Sequence, residues 1–172
     1  MLDLRTLAEG CPAITSGLGQ YLAEAGAICL ESQGHKQGHR LAVQGVDEKQ
    51  YALLWPEVND QIERCLNDPD VATEHGAVGI AILLAKKLLG YTAVQRSRKG
   101  TGFDYWLGDD ASPPFQNTAR LEVSGIRNGD DTAVKGRVGQ KMKQTSVSDG
   151  LGLPAYIVVV EFGRPLADVR KR

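Results

Sequence analysis

The feature that most constrains the fold of this chain is a long helix that is apolar nearly all round. The segment over residues 74–89 ends with Lys86 and Lys87 and is followed by Gly90, which is the pattern of a helix with a defined end. We expect Thr73 to cap its start. A helix without a polar face has to be covered by other elements. Its apolar centre is much shorter than the roughly 20 residues needed to span a bilayer, so we predict no membrane segment.

The periodicity of the rest of the chain predicts an α/β fold with a mixed central sheet flanked by helices. Beyond the apolar helix, apolar residues alternate with period two, and a last strand is apolar on both faces. Pro113 and Pro114 lie in a loop between two of these strands. In chain order, we predict a helix over 13–31, strands over 40–46 and 50–55, a helix over 58–66, the apolar helix, strands over 91–98, 103–107 and 119–126, a helix over 133–144 and a strand over 155–162.

The length of 172 residues predicts a single compact domain. Within it, we expect residues 71–172 to form an α/β core. Residues 1–70 then form an N-terminal extension, a helix, a hairpin and a second helix, that packs on the core. The three cysteines are widely spaced without a CxxC pair, so they predict buried thiols rather than zinc ligands or disulfides.

Charge is distributed unevenly along the chain. The net charge of −1 combines −5 over residues 1–90 with +4 over residues 91–172. An anionic partner would therefore bind the second half, unless the excess only reflects a solvated terminus at Arg170, Lys171 and Arg172. The N-terminus carries an acid and a base where a signal peptide needs a basic end and an apolar run, so we expect a cytoplasmic protein.

Two acids interrupt apolar strands and mark the candidate site. Asp104 lies between Phe103 and Tyr105, and Glu122 lies inside the next predicted strand. A carboxylate in such a position is costly to bury unless it meets a cation, a hydrogen-bond donor or a metal ion. Because both acids lie on neighbouring strands, we expect them to share one polar site.

A divalent cation would relieve the repulsion between these two carboxylates. Mg²⁺, or Mn²⁺ in its place, binds through one or two carboxylates and several waters. Such an ion can activate water and stabilise charge on a phosphate during hydrolysis. We therefore predict that Asp104 and Glu122 are the metal ligands of a phosphodiesterase.

The element order of residues 72–162, with Asp104 after a turn and Glu122 one strand later, resembles the PD-(D/E)XK nuclease superfamily. This resemblance implies a restriction-endonuclease-like core and Mg²⁺-dependent hydrolysis of DNA. It also implies that Glu74, on the helix before the hairpin, joins the site, although an acid near a helix N-terminus is also explained by the helix dipole. His75, next to it, is weaker as a ligand.

The lysine that this superfamily has two residues after its second acid is replaced here by Ser124. Some members of the superfamily supply the lysine from the following helix. In this chain Arg137, Lys141 and Gln144 share one face of that helix, at spacings of four and three residues. We therefore expect Lys141 to replace the missing lysine, and Arg137 and Gln144 to contact nucleic acid.

Trp106 shares a strand face with Asp104, two residues away, so it either stacks on a base at the site or fills the core. Three functions stay open at this point. The chain is an Mg²⁺-dependent nuclease acting on DNA, or a catalytically inactive interaction subunit of a bacterial nucleic-acid-processing or defence assembly that binds a second copy or a partner subunit. The third is an unrelated α/β domain whose buried acids pair with Arg120 or Arg127.

Overall fold

A computed structural model describes residues 1–109 and 116–172, and the predicted loop with Pro113 and Pro114 lies outside these residues. Eight strands form one mixed sheet in the spatial order β1-β3-β2-β8-β7-β6-β5-β4. The bounds in chain order are β1 Leu2–Asp3, β2 Arg40–Gly45, β3 Lys49–Leu54, β4 Ala93–Arg96, β5 Tyr105–Asp109, β6 Gln116–Ile126, β7 Ala155–Glu161 and β8 Leu166–Lys171. The predicted fold class, a mixed α/β fold with helices flanking a mixed sheet, is confirmed.

Four α-helices flank the sheet, and 3₁₀ turns cover Leu4–Glu9 and Ser146–Leu151. The helices are α1 Ser16–Ser32, α2 Asp60–Cys65, α3 Pro69–Leu89 and α4 Asp131–Thr145. The larger apolar core contains α1, α3 and one sheet face, with Val123 and Val158 among its members. A smaller core on the other face packs α4 against Ile157 and Val159. No helix in the described ranges is long and apolar enough to cross a membrane.

Two predicted helix starts are wrong. α3 begins at Pro69, because Asp68 accepts hydrogen bonds from the first amides and proline fits the first helical position. Thr73 is therefore inside the helix, where its hydroxyl donates to Pro69 O at 2.7 Å. α4 begins at Asp131 rather than at residue 133 and is capped by Asp130, which accepts a 2.8 Å bond from Ala133 N.

The C-terminal segment is a strand that the sequence pattern did not predict. β8 pairs antiparallel with β7 and parallel with β2, near the middle of the sheet. The side chains of Arg170, Lys171 and Arg172 are exposed, as expected of a solvated terminus, but their backbone is held in this pairing. One continuous sheet thus takes strands from both halves of the chain, so the division into a 71–172 core and a 1–70 extension stays a prediction.

Glycines allow α3 to approach its neighbours closely. A Cβ at Gly125 of β6 would lie 2.4 Å from Thr73 O, which brings the start of α3 against the end of this strand. A Cβ at Gly76 would lie 2.9 Å from the Cα of Gly26 in α1. Of the cysteines, only Cys29 is buried, so the expectation of three buried thiols is wrong for the exposed Cys65 and the half-buried Cys11.

Candidate functional site

Asp104 lies close to Glu122. Tyr105, the first residue of β5, pairs with Leu121 in the antiparallel β5–β6 register, and the Asp104 carboxylate is near enough to raise the pKa of Glu122. The prediction that Asp104 lies inside a strand is wrong, because Asp104 immediately precedes β5. Its backbone amide donates to Leu121 O at 3.0 Å, and its Oδ2 accepts from Val123 N at 2.9 Å. These bonds fix the carboxylate against β6.

Glu122 is fully buried on the face that α4 covers. Its Oε1 accepts from Lys141 Nζ at 2.6 Å and from Gln144 Nε2 at 3.0 Å. Its Oε2 is buried and has no hydrogen-bond partner among the described residues. The pKa of Glu122 is raised to about 7, chiefly by burial and also by the nearby Asp104 carboxylate, while Lys141 acts to lower it. An unpartnered, buried carboxylate oxygen therefore adjoins a second carboxylate.

Ser124, two residues after Glu122, accepts a hydrogen bond from an arginine. Its Oγ accepts from Arg137 Nη1 at 2.7 Å, and the same nitrogen lies 3.3 Å from Gly125 O. The three residues of α4 singled out by their spacing thus all reach β6. Arg137 contacts Ser124, while Lys141 and Gln144 contact Glu122.

A cavity of about 490 Å³ opens between the first turns of α3, the end of β6 and α4. Its acidic lining residues are Asp70, Glu74 and Asp104, and its basic ones are Arg96, Arg127, Arg137 and Lys141. Ser124 and Tyr105 also line it. Asp104 and four cationic side chains thus face one space that is large enough for a small polar ligand, whereas the buried Glu122 is not among its lining residues.

Glu74 is exposed and lines this cavity. Because α3 begins at Pro69, Glu74 is in the second helical turn, and Asp70 is the acid of the first turn. The helix dipole, which acts within the first turn, therefore explains Asp70 better than Glu74.

Trp106 is half-buried and packs edge to face on Phe103, with ring centroids 4.6 Å apart, and it is not among the cavity-lining residues. His75 Nδ1 lies 3.3 Å from the Tyr21 hydroxyl rather than in the cavity. Across residues 1–109 and 116–172, no group of three or more His, Cys, Asp or Glu side chains is arranged to hold a metal ion. A cation at this site would therefore have two carboxylate ligands from the protein, Asp104 and Glu122.

The alternative in which basic residues of β6 pair with the buried acids is not observed. Arg120 donates to Leu153 O and Ser148 and pairs with Asp149. Arg127 donates to Ser32 Oγ at 3.2 Å. Neither has a hydrogen bond to the acids of the candidate site in the described part of the chain.

Spacing and periodicity did not identify Arg96 and Arg127 as cavity residues. Arg127 directly follows β6, the strand that carries Glu122. This position in the sequence could have indicated that Arg127 lies near the site. Arg96 carries no such signal, since its place depends on the pairing of β4 with β5. Comparison of the chain with protein-family models, curated proteins and solved structures gives no match. Functional inference therefore rests on the residues described above.

Proposed function

We propose that this protein is a Mg²⁺- or Mn²⁺-dependent phosphodiesterase that hydrolyses DNA. The observation that carries the proposal is the convergence of Asp104 and Lys141, which line an open cavity, on the buried carboxylate of Glu122. Glu122 is fully buried with one oxygen unpartnered, and Lys141 lies 2.6 Å from its other oxygen. Lys141 compensates only one oxygen of this buried carboxylate, so the free oxygen beside a second carboxylate can accept a further cation.

The donor set fits a hard divalent cation. Mg²⁺ takes oxygen ligands, and it keeps several waters while binding one or two carboxylates. Asp104 and Glu122 Oε2 supply that number, and the open cavity admits the waters and a phosphate oxygen. When bound, such an ion would lower the pKa of a bound water and stabilise negative charge on the phosphoryl group.

The protein groups around the pair have separate tasks in this proposal. Val123 N holds the Asp104 carboxylate in place, and Gln144 together with Lys141 holds Glu122 Oε1. The Lys141 ammonium also brings positive charge to the place where an attacking water would lose a proton. Arg137, held by Ser124, faces the cavity and would bind a phosphate oxygen of the substrate.

The proposal includes membership of the PD-(D/E)XK superfamily. Supporting it is the order of α3, the antiparallel strands β4, β5 and β6, the helix α4 and then β7, which is parallel to β6. Ser124 in the lysine position and a lysine from α4 beside the second acid are consistent with a member in which that lysine has moved.

A second candidate function is a non-catalytic interaction subunit. It is favoured by the direct bond between Lys141 and Glu122, since a closed ion pair compensates part of the buried charge without any metal. In that case the cavity would hold a partner or nucleic acid and no bond would be cleaved.

DNA hydrolysis discriminates between the two. Purified protein with Mg²⁺ or Mn²⁺ should nick supercoiled plasmid, and Asp104→Ala should abolish nicking. Lys141→Met should lower the rate strongly with little change in DNA affinity. Glu63→Gln, which removes an exposed carboxylate from α2, should behave as the parent. Equal cleavage by the parent and Asp104→Ala would refute the assignment.

A further inference from the structure

Three arginines of the cavity have no acidic partner. Arg96, Arg127 and Arg137 line it, and among the described residues none of them has a carboxylate within salt-bridge distance. Elsewhere arginines commonly pair, as Arg164 does with Asp131 at 2.9 Å. The cavity thus gathers three guanidinium groups that form no direct ion pair within the described part of the chain.

Each of these arginines is instead held by a hydroxyl group. Arg137 Nη1 donates to Ser124 Oγ at 2.7 Å. Arg127 Nη2 donates to the hydroxyl of Ser32, at the end of α1, at 3.2 Å. A hydroxyl restricts the guanidinium without neutralising it, which a carboxylate would do.

Arg96 shows the same arrangement with an aromatic partner. Its Nη1 donates to Tyr105 Oη at 2.9 Å, and its guanidinium carbon lies 5.1 Å from the centre of the same ring. The ring face attracts the cation without removing its charge. The arginines that face the cavity thus lie on β4, on α4 and directly after β6, and residues of β5, β6 and the end of α1 hold them.

The acids at the cavity form no ion pairs with these three arginines in the described part of the chain. Asp104 is bound to Val123 N and lies against Glu122, whose own partner is Lys141. Asp70 and Glu74 are exposed on the first two turns of α3 and form no ion pair with an arginine of the cavity in the described residues. The guanidinium donors that the hydroxyls leave free can therefore bind an external anion.

We propose that Arg96, Arg127 and Arg137 bind the phosphodiester groups that flank the hydrolysed one. This inference rests on the proposed function for its substrate, because a nucleic acid strand presents phosphates in succession. Arginine binds a phosphate through two parallel N–H bonds, and its affinity does not require a base-specific contact. Ser124, Ser32 and Tyr105 are positioning residues that act through these arginines.

Binding without metal tests this inference separately from hydrolysis. Fluorescence anisotropy of a short labelled DNA duplex is measured in EDTA at a series of salt concentrations. Arg96→Gln, Arg127→Gln and Arg137→Gln should each weaken binding and reduce the slope of log K against log salt by about 0.9. Lys86→Gln, which removes an exposed charge outside this cavity at the far end of α3, should leave affinity and slope unchanged. An RNA duplex of the same sequence shows which nucleic acid is preferred.

Neutral variants test the role of the hydroxyls. Tyr105→Phe, Ser32→Ala and Ser124→Ala keep every charge but release an arginine, so we expect affinity to fall by roughly two- to tenfold with the salt slope retained. A triple arginine variant with the parent's affinity and slope would overturn the inference, as would a parent that binds neither duplex at low salt. Binding in EDTA without hydrolysis in Mg²⁺ would instead sustain the arginine site and refute the nuclease.

Discussion

Replacing Glu122 with glutamine should remove a pH dependence of the protein's stability. Burial raises the pKa of Glu122 to about 7 from an ordinary value of 4.5. The folded state therefore holds this proton more tightly than the unfolded chain does. The stability that protonation contributes is fully present below about pH 4.5, and it is lost as the pH rises through about 7.

The size of the effect follows from the difference between the two pKa values. A gap of about 2.5 pH units, at about 1.4 kcal/mol for each unit, corresponds to about 3 kcal/mol. Glutamine has the same shape, stays neutral and still offers an oxygen to Lys141. Between pH 5 and pH 8, the unfolding free energy of the parent should thus fall by about 2.5 kcal/mol relative to Glu122→Gln, since part of the effect is already lost at pH 5.

Urea unfolding in EDTA at several pH values measures this difference directly. Glu63→Gln is the matched control, because its carboxylate is exposed and its removal should leave the pH profile of the parent intact. Parallel profiles for the parent and Glu122→Gln would refute the reasoning, since they would mean that Glu122 titrates as it does in the unfolded chain. Added Mg²⁺ should stabilise the parent at pH 8 and leave Glu122→Gln unaffected.

Three further substitutions test other parts of the structure. Ala13 has a left-handed backbone, φ 69°, so Ala13→Gly should raise the urea midpoint by an amount equal to about 1 kcal/mol, and a lower midpoint would contradict this strain. Gly125→Ala places a Cβ 2.4 Å from a backbone oxygen of α3 and should destabilise the folded protein by about 3 kcal/mol or more. Gly139→Ala, which has open space on α4, should stabilise the folded protein by about 1 kcal/mol. Similar effects of the two substitutions would exclude the close contact at Gly125. Lys141→Met should move the pH midpoint of the stability profile upward, because Glu122 loses its cation, and an unchanged midpoint would exclude that ion pair.

The sequence could predict the elements with a marked apolar pattern. Continuous apolar residues indicated that α3 and β7 are buried, and apolar and polar residues alternate along β6. The strand β8 was missed because Asp168, Arg170 and Lys171 make it look polar. The structure compensates Asp168, which is buried, through Arg170 and through Gln44 of the neighbouring strand. Such pairing across the chain cannot be inferred from local periodicity.

Local sequence patterns could predict only part of the candidate site, because the rest depends on contacts between distant segments. Acids inside apolar runs pointed to Asp104 and Glu122, and helical spacing pointed to Lys141. The approach of α3 to β6 depends on Gly125, whose contact with Thr73 only the folded chain defines. Of the three cavity arginines, Arg137 on α4 was predicted from its spacing, whereas Arg96 on β4 and Arg127 after β6 join it only through the tertiary fold. The roles of all these residues stay predictions.

Binding of Mn²⁺ is the measurement that tests the shared metal site most directly. Isothermal titration calorimetry at pH 7.5 should show saturable binding of Mn²⁺ to the parent and to Glu63→Gln at millimolar concentrations or below. Asp104→Asn and Glu122→Gln should each lose that binding while keeping the folded structure seen by circular dichroism. If the parent does not bind Mn²⁺, or if Asp104→Asn binds it equally well, the two carboxylates do not form a metal site.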